Sequence, residues 1–174
     1  MKPSNKTSCK SASMFNAVAV LAACARPLQA ASSRDAKALL MALKDEYRAE
    51  ATYQAVLGRF PGARPFINII EAERRHADRV KTEMGRVGIT YSSTNPFLGE
   101  LTAPTSVLEA CQQAIAAEEE NIALYDRLLP SVTDSNIRKT LTELQSASRD
   151  RHLPAFKRCV ARGGSIGGGR RRGE

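Results

Sequence analysis

Apolar residues recur every three to four positions from about residue 35 to 162, and no sustained alternation appears. That period predicts helices and no strands. The first helix, near 35–59, follows the capping serines Ser32 and Ser33 and carries an inward stripe of Leu39, Leu43, Glu46, Glu50, Tyr53 and Leu57. Pro61-Gly62 ends it, and Pro65 opens the second helix, near 65–86, as a first-turn proline. Its stripe runs Phe66, Ile69, Ile70, Glu73, His76, Ala77, Val80 and Met84. An aperiodic stretch from Gly88 to Thr105 follows, holding Pro96, Gly99 and Pro104. Ser106-Val107-Leu108-Glu109 is a capping box for a third helix with Leu108, Cys111, Ile115, Glu118, Ile122, Tyr125 and Leu129 inward. After the turn at Asp134-Ser135, a fourth runs to about Arg162 with Ile137, Leu141, Leu144, Ser148, His152, Ala155 and Cys159.

Helices of two dozen residues span about 35 Å at a rise of about 1.5 Å per residue. Two short links and one long middle connection predict an all-α, ferritin-like four-helix bundle over 31–162, made of two helical hairpins joined by a long crossover. An up-down bundle with a wandering loop is the competing topology. The halves resemble each other. Glu46 and Tyr53 are seven apart, as are Glu118 and Tyr125, and His76 and His152 are each preceded by an arginine, Arg75 and Arg151. These parallels predict a duplicated hairpin.

The ends read differently. The chain has 174 residues and a net charge of +8, but the charge is concentrated outside the predicted bundle. Lys2, Lys6, Lys10 and Arg26 stand in the first 30 residues with no acids, and Arg170, Arg171 and Arg172 face only Glu174 in the last 12. The body is nearly neutral. A basic start followed by an apolar run from Met14 to Ala25 is the layout of a secretory signal over 1–30, and the run is shorter than the roughly 20 residues a membrane span needs. Cleavage after Ala30 is one exit. The other is lipidation at Cys24, since Leu21-Ala22-Ala23-Cys24 resembles a bacterial lipobox. Export to the periplasm or a lipid anchor in a bacterial cell envelope is the expectation, with membrane contact only through such an anchor. Residues 163–174, rich in Gly and Arg, read as a flexible tail. Specific nucleic-acid binding is not expected, because the basic charge sits in a removable segment and a short tail.

A carboxylate on an apolar stripe is costly to bury unless it is paired or bound to a cation. Glu46, Glu50, Glu73 and Glu118 all lie on such stripes, and Glu73-Arg74-Arg75-His76 sets carboxylate and imidazole one helical turn apart. Oxygen-rich ligands with imidazoles suit iron or manganese. One Glu from each of two helices with Glu-x-x-His on the others is a carboxylate-bridged two-metal layout. A solvated Glu118-Glu119-Glu120 run and structural ion pairs are the alternative reading of the same residues.

Four stretches carry a resemblance: residues 45–53 (Asp45 to Tyr53), 70–76 (Ile70 to His76), 121–125 (Asn121 to Tyr125) and 152–156 (His152 to Phe156). The body is similar to the ferritin-like superfamily and, more narrowly, to the uncharacterised family known as domain of unknown function 2202. The resemblance implies a ferritin-like fold, no established reaction, and ligand positions at Glu46, Glu73, His76, Glu118 and His152. Tyr53 and Tyr125 are then expected to orient carboxylates. One position departs from the pattern: three residues before His152, where a second Glu-x-x-His needs its carboxylate, stands Arg149. Glu50 is expected either to pair with Arg149 or to act as a replacement ligand, and one ion, two or none is compatible with the chain.

Cys111 lies seven residues before Glu118 and Cys159 seven after His152. Antiparallel helices three and four bring both sulfurs to one height, so a disulfide is expected in an exported protein, against two buried thiols. Phosphate loops and nucleophile elbows are absent. Two functions remain: an exported metal protein of iron or manganese that reacts with oxygen or peroxide, with a homodimer as a further expected partner, or a metal-free helical interaction module.

Overall fold

The computed structural model describes residues 31–165; the expected signal with Cys24 and the tail from Ile166 onward lie outside the described residues. Helix α1 spans Ser33–Arg59, α2 Phe66–Arg86, α3 Val107–Leu128, α4 Ser135–Ala147 and α5 Leu153–Ala161. A short 3-10 turn, Leu129–Ser131, follows α3, and a π-helical turn, Ser148–His152, joins α4 to α5 in one continuous helical run. The four-helix bundle is thus built of two hairpins, α1 with α2 and α3 with α4–α5, and residues 87–106 cross between them. No described helix is long and apolar enough to cross a membrane.

The starts of the helices follow from their caps. Ser32 Oγ accepts from Asp35 N at 3.1 Å, and Asp134 accepts from Asn136 N and Ile137 N. At α3, Ser106 Oγ accepts from Glu109 N, but Glu109 does not return the bond to Ser106. Its carboxylate takes Thr105 N and Oγ1 instead, one residue further out, so the capping box is only half formed. The Gly88 turn closes α2, with Ile89 N bonded to Met84 O and Gly88 at φ 75°. Gly163 and Gly164 end α5 in the same way, through Gly163 N to Val160 O and Gly164 N to Cys159 O. Gly164 is buried against α3, where a Cβ would stand 2.4 Å from Leu108 N. Gly163–Ser165 therefore belong to the folded body, which corrects the expectation that the flexible tail starts at residue 163.

Two apolar clusters fill the bundle. One, at the α1 N-terminal end, gathers Leu39, Leu43, Val80, Met84, Leu128, Ile137 and Leu141 with their neighbours. The other holds Tyr53, Phe66, Phe156, Ile70, Cys111 and Cys159, and three of its rings pack with centroids 5.1–5.5 Å apart. On α3 the buried face is turned by about one residue from the expected stripe: Val107, Ala110, Ala114 and Asn121 are inside, while Leu108, Ile115 and Ile122 are only half-buried. Cys111 and Cys159 are joined in a disulfide with their Cα atoms 6.2 Å apart.

Asp35, 2% exposed, ties the α1 start to the link after α3, accepting from Thr133 N at 2.7 Å and Thr133 Oγ1 at 2.6 Å. Burial alone would raise its pKa, but hydrogen bonds from Thr133 and Ser32 outweigh that and hold it down at about 2. The folded state therefore binds its proton later than the unfolded chain. Its stabilisation is complete above about pH 4 and is lost as pH falls through about 2. Asp35→Asn is expected to lower unfolding stability by about 2 kcal/mol at pH 7, a deficit that shrinks on acidification; chemical denaturation at pH 7 and pH 3 measures it. Removing the disulfide in Cys111→Ser/Cys159→Ser frees a 48-residue separation and is expected to cost up to about 4 kcal/mol by loop entropy, read from the denaturation midpoint.

Candidate metal centre

Between the two apolar clusters lies a polar layer. Glu46 and Glu73 are 3% exposed, Glu118 and His152 4%, and His76 7%. The Glu-x-x-His spacing on α2 works as helix geometry requires, with His76 Nδ1 3.0 Å from Glu73 Oε2. The other oxygen, Glu73 Oε1, is 3.1 Å from His152 Nδ1. Glu46 Oε2 flanks His76 at 3.3 Å, and Glu118 Oε1 flanks His152 at 3.5 Å. The two imidazoles lie nearly parallel, centroids 5.6 Å apart. One carboxylate thus serves two clusters, Glu46–Glu73–His76 and Glu73–Glu118–His152, each with its ligand atoms within 4.8 Å of one another.

The tyrosines cross between the hairpins. Tyr53 of α1 donates to Glu118 Oε1 at 2.8 Å, and Tyr125 of α3 donates to Glu46 Oε1 at 2.8 Å. Each hairpin therefore orients the other's flanking carboxylate, and the seven-residue spacing seen twice in the sequence becomes a two-fold arrangement.

Electrostatics make the layer proton-rich without a cation. Burial raises Glu46 to about 8. Burial pushes Glu73 the same way, but the close imidazoles of His152 and His76 prevail and hold it at about 2. For His76 burial favours the neutral ring, yet Glu46 and Glu73 outweigh it and raise the pKa to about 9. For His152 the same contest, against Glu118 and Glu73, ends at about 10. Burial, reinforced by the nearby carboxylates, pushes both tyrosines well above their ordinary range, so they stay hydrogen-bond donors. His152 Nδ1 is buried 3.1 Å from Glu73 Oε1 and 3.5 Å from Glu118 Oε1, close enough for their charges to couple though not in full hydrogen-bond alignment.

The second hairpin departs from the first through the π turn. Leu153 N bonds to Ser148 O across it, so an extra residue is accommodated in the helix. Ser148, four before His152, is buried and lines one cavity with Glu46, Glu73 and Glu118. Across the π turn Ser148, and not Arg149, is the buried residue on that side of the helix. Arg149 is turned outward, its side chain 47% exposed and 3.6 Å from Asp126. Glu50 neither pairs with Arg149 nor joins either cluster, correcting both expectations for it. Its carboxylate takes Arg74 Nε at 2.9 Å and Asn95 Nδ2 at 2.9 Å, because one turn beyond Glu46 it faces α2's flank and the crossover. Asn95 also bonds Tyr47 O, and Tyr47 donates to Ser92 O, so Glu50 belongs to the clasp that seats the crossover. Asn121 follows three glutamates in the sequence like one more surface residue, yet it is buried and bonded to Asp45.

A four-helix bundle with two crossing hairpins and buried carboxylate–histidine clusters defines a ferritin-like protein with a metal-site arrangement. The rubrerythrin family model matches residues 37–159, and the chain belongs to the rubrerythrin family. It is similar in fold to the solved hypothetical protein MJ0754 from Methanococcus jannaschii DSM 2661, with a TM-score of 0.69 and 21% identity over 79% of this chain and 85% of that one. No curated protein matches.

The pKa shifts fix a sign for the metal-free protein. The raised His76, His152 and Glu46 values mean that the folded state keeps protons the unfolded chain has lost, so stability falls as pH rises from about 4.5 through 9–10. The lowered Glu73 value acts on the other side, its stabilisation disappearing as pH drops from 4.5 toward 2. Metal-free protein is expected to melt highest near pH 4.5–5; a melting temperature that climbs steadily from pH 5 to pH 9 would contradict the assigned protonation.

Proposed function

We propose that this chain is an exported metalloprotein that holds two ions of iron or manganese, one at Glu46, Glu73 and His76 and the other at Glu118, Glu73 and His152, and reacts with oxygen or peroxide. The observation that carries the reading is Glu73, whose two oxygens face two imidazoles inside an otherwise apolar bundle. A carboxylate-rich donor set with one nitrogen per cluster suits these hard or borderline ions better than zinc or copper. When bound, iron or manganese would supply electrons to oxygen or peroxide. The protein's own part is positional. Tyr53 and Tyr125 each occupy one oxygen of a flanking carboxylate and so bias which oxygen remains for an ion, and the apolar clusters above and below exclude bulk water.

The Cys111–Cys159 bond supports an oxidising compartment, in keeping with a signal over 1–30 and either cleavage after Ala30 or lipidation at Cys24. A lipid anchor, a homodimer and membership of the narrower domain of unknown function 2202 belong to the same proposal.

Anaerobic titration of the mature domain with ferrous iron, followed by metal analysis, is expected to give two ions per chain. Glu73→Gln should lose both together, whereas Glu46→Gln and Glu118→Gln should each weaken one by at least tenfold. Because binding must displace protons from both imidazoles, affinity is expected to rise steeply between pH 6 and pH 8. No bound metal in stably folded protein would overturn the reading and leave the metal-free interaction module.

A further inference from the structure

Both clusters are nearly buried, and cavities on two sides reach them, one at the histidines and one at the carboxylates. A cavity of about 260 Å³ between α1 and α3 reaches Glu46, Glu73 and Glu118 at its buried end and is bordered by the exposed Arg48, Gln113 and Glu120. Asp45 and Asn121 line it too. Asp45 is half-buried, and Asn121 is 8% exposed. Asn121 Nδ2 donates to Asp45 Oδ2 across the gap between the helices, but its Oδ1 is buried and has no hydrogen-bond partner. A buried amide oxygen left unpaired disfavours the fold, and an apolar residue would avoid the penalty. Its presence calls for something that uses the oxygen.

The duplication sharpens the point. The residue before Glu118, matching Asp45 before Glu46, is Ala117; the residue three after Glu46, matching Asn121 three after Glu118, is Ala49. Both alanines line the same cavity. Glu46 and Glu118, the two histidines and the two tyrosines repeat between the halves, whereas this polar pair does not, so it is an addition to one flank of the two-fold arrangement.

We propose that Asp45 Oδ and Asn121 Oδ1 form a way-station for a hard divalent cation passing from solvent to the buried clusters. One carboxylate and one neutral amide oxygen, completed by water, make a weak oxygen site that captures and releases an ion rather than storing it. Glu46, Glu73 and Glu118 lie deeper in the same cavity, where an arriving ion would displace the protons the layer holds. Nothing about this pair requires redox chemistry. The inference rests on the proposed core metal reading.

Uptake of Co²⁺ by the full chain, followed by stopped-flow absorbance at limiting cobalt and by final metal content, tests it. Asp45→Asn and Asn121→Leu are expected to reach the wild-type content at least tenfold more slowly. Asn121→Asp, which keeps an oxygen at the position and adds charge, should load at or above the wild-type rate, with circular dichroism melts confirming that each variant folds. Loading of folded Asn121→Leu at the wild-type rate overturns the way-station while leaving the core intact. A reduced final content in Asn121→Leu also overturns it, since the residue would then belong to the core clusters. If the wild-type chain takes up no cobalt, the metal reading itself falls and the way-station with it.

Discussion

A single buried carboxylate organises this molecule. Glu73 is held ionised at the centre of an apolar bundle because an imidazole approaches each of its oxygens. Desolvating a charge costs several kcal/mol, and replacing buried ionic groups with packed hydrophobic ones is often neutral or stabilising. A bundle selected only for stability has no need of three carboxylates and two histidines in its middle layer. The surrounding structure reads as what it takes to keep them there: a tyrosine for each flanking glutamate, an apolar cluster on either side, and closures at both ends through Asp35 with Thr133 and through the disulfide.

The two hairpins share the work in a crossed fashion. The first holds the whole of Glu46–Glu73–His76, but the second needs Glu73 from the first, and each tyrosine fixes a glutamate on the opposite hairpin. The polar layer can therefore form only when the hairpins dock, which couples its geometry to the tertiary fold rather than to any one helix. The crossover contributes through Asn95, clasped by Glu50 and the Tyr47 carbonyl, and so anchors residues 87–106 to α1.

Much of this was legible in the sequence because its signals are local or periodic. The apolar period placed the helices, Ser32 and Asp134 marked starts, and the paired Glu-to-Tyr spacings pointed to the residues that the structure brings together. What failed depended on features without a sequence signature. The π turn shifts Ser148 into the position where spacing counts assign Arg149, and one accommodated residue defeats any argument built on i, i+3. Glu50 lay on the right stripe, but its partners Arg74 and Asn95 are set by how α2 and the crossover pack. The buried face of α3 differs by one residue from its apolar stripe because Ala110 and Ala114, which carry little hydrophobic signal, are inside, while the larger Leu108, Ile115 and Ile122 are only half-buried. Asn121 hid in a charged run, and only burial distinguishes it.

The closures also give the molecule a polarity. Asp35 sets the first described turn beside Thr133, past the C-terminal end of α3, while Gly164 rests on Leu108 at that helix's N-terminal end. α3 is 22 residues long, so the chain enters and leaves the bundle at opposite poles, roughly 33 Å apart at a helical rise of about 1.5 Å per residue. Anything joined before residue 31 and anything joined after residue 165 are attached at opposite faces of one rigid body. Held to a surface by its leading end, the domain would present its trailing end outward, with the polar layer at mid-height and the α1–α3 cavity opening sideways.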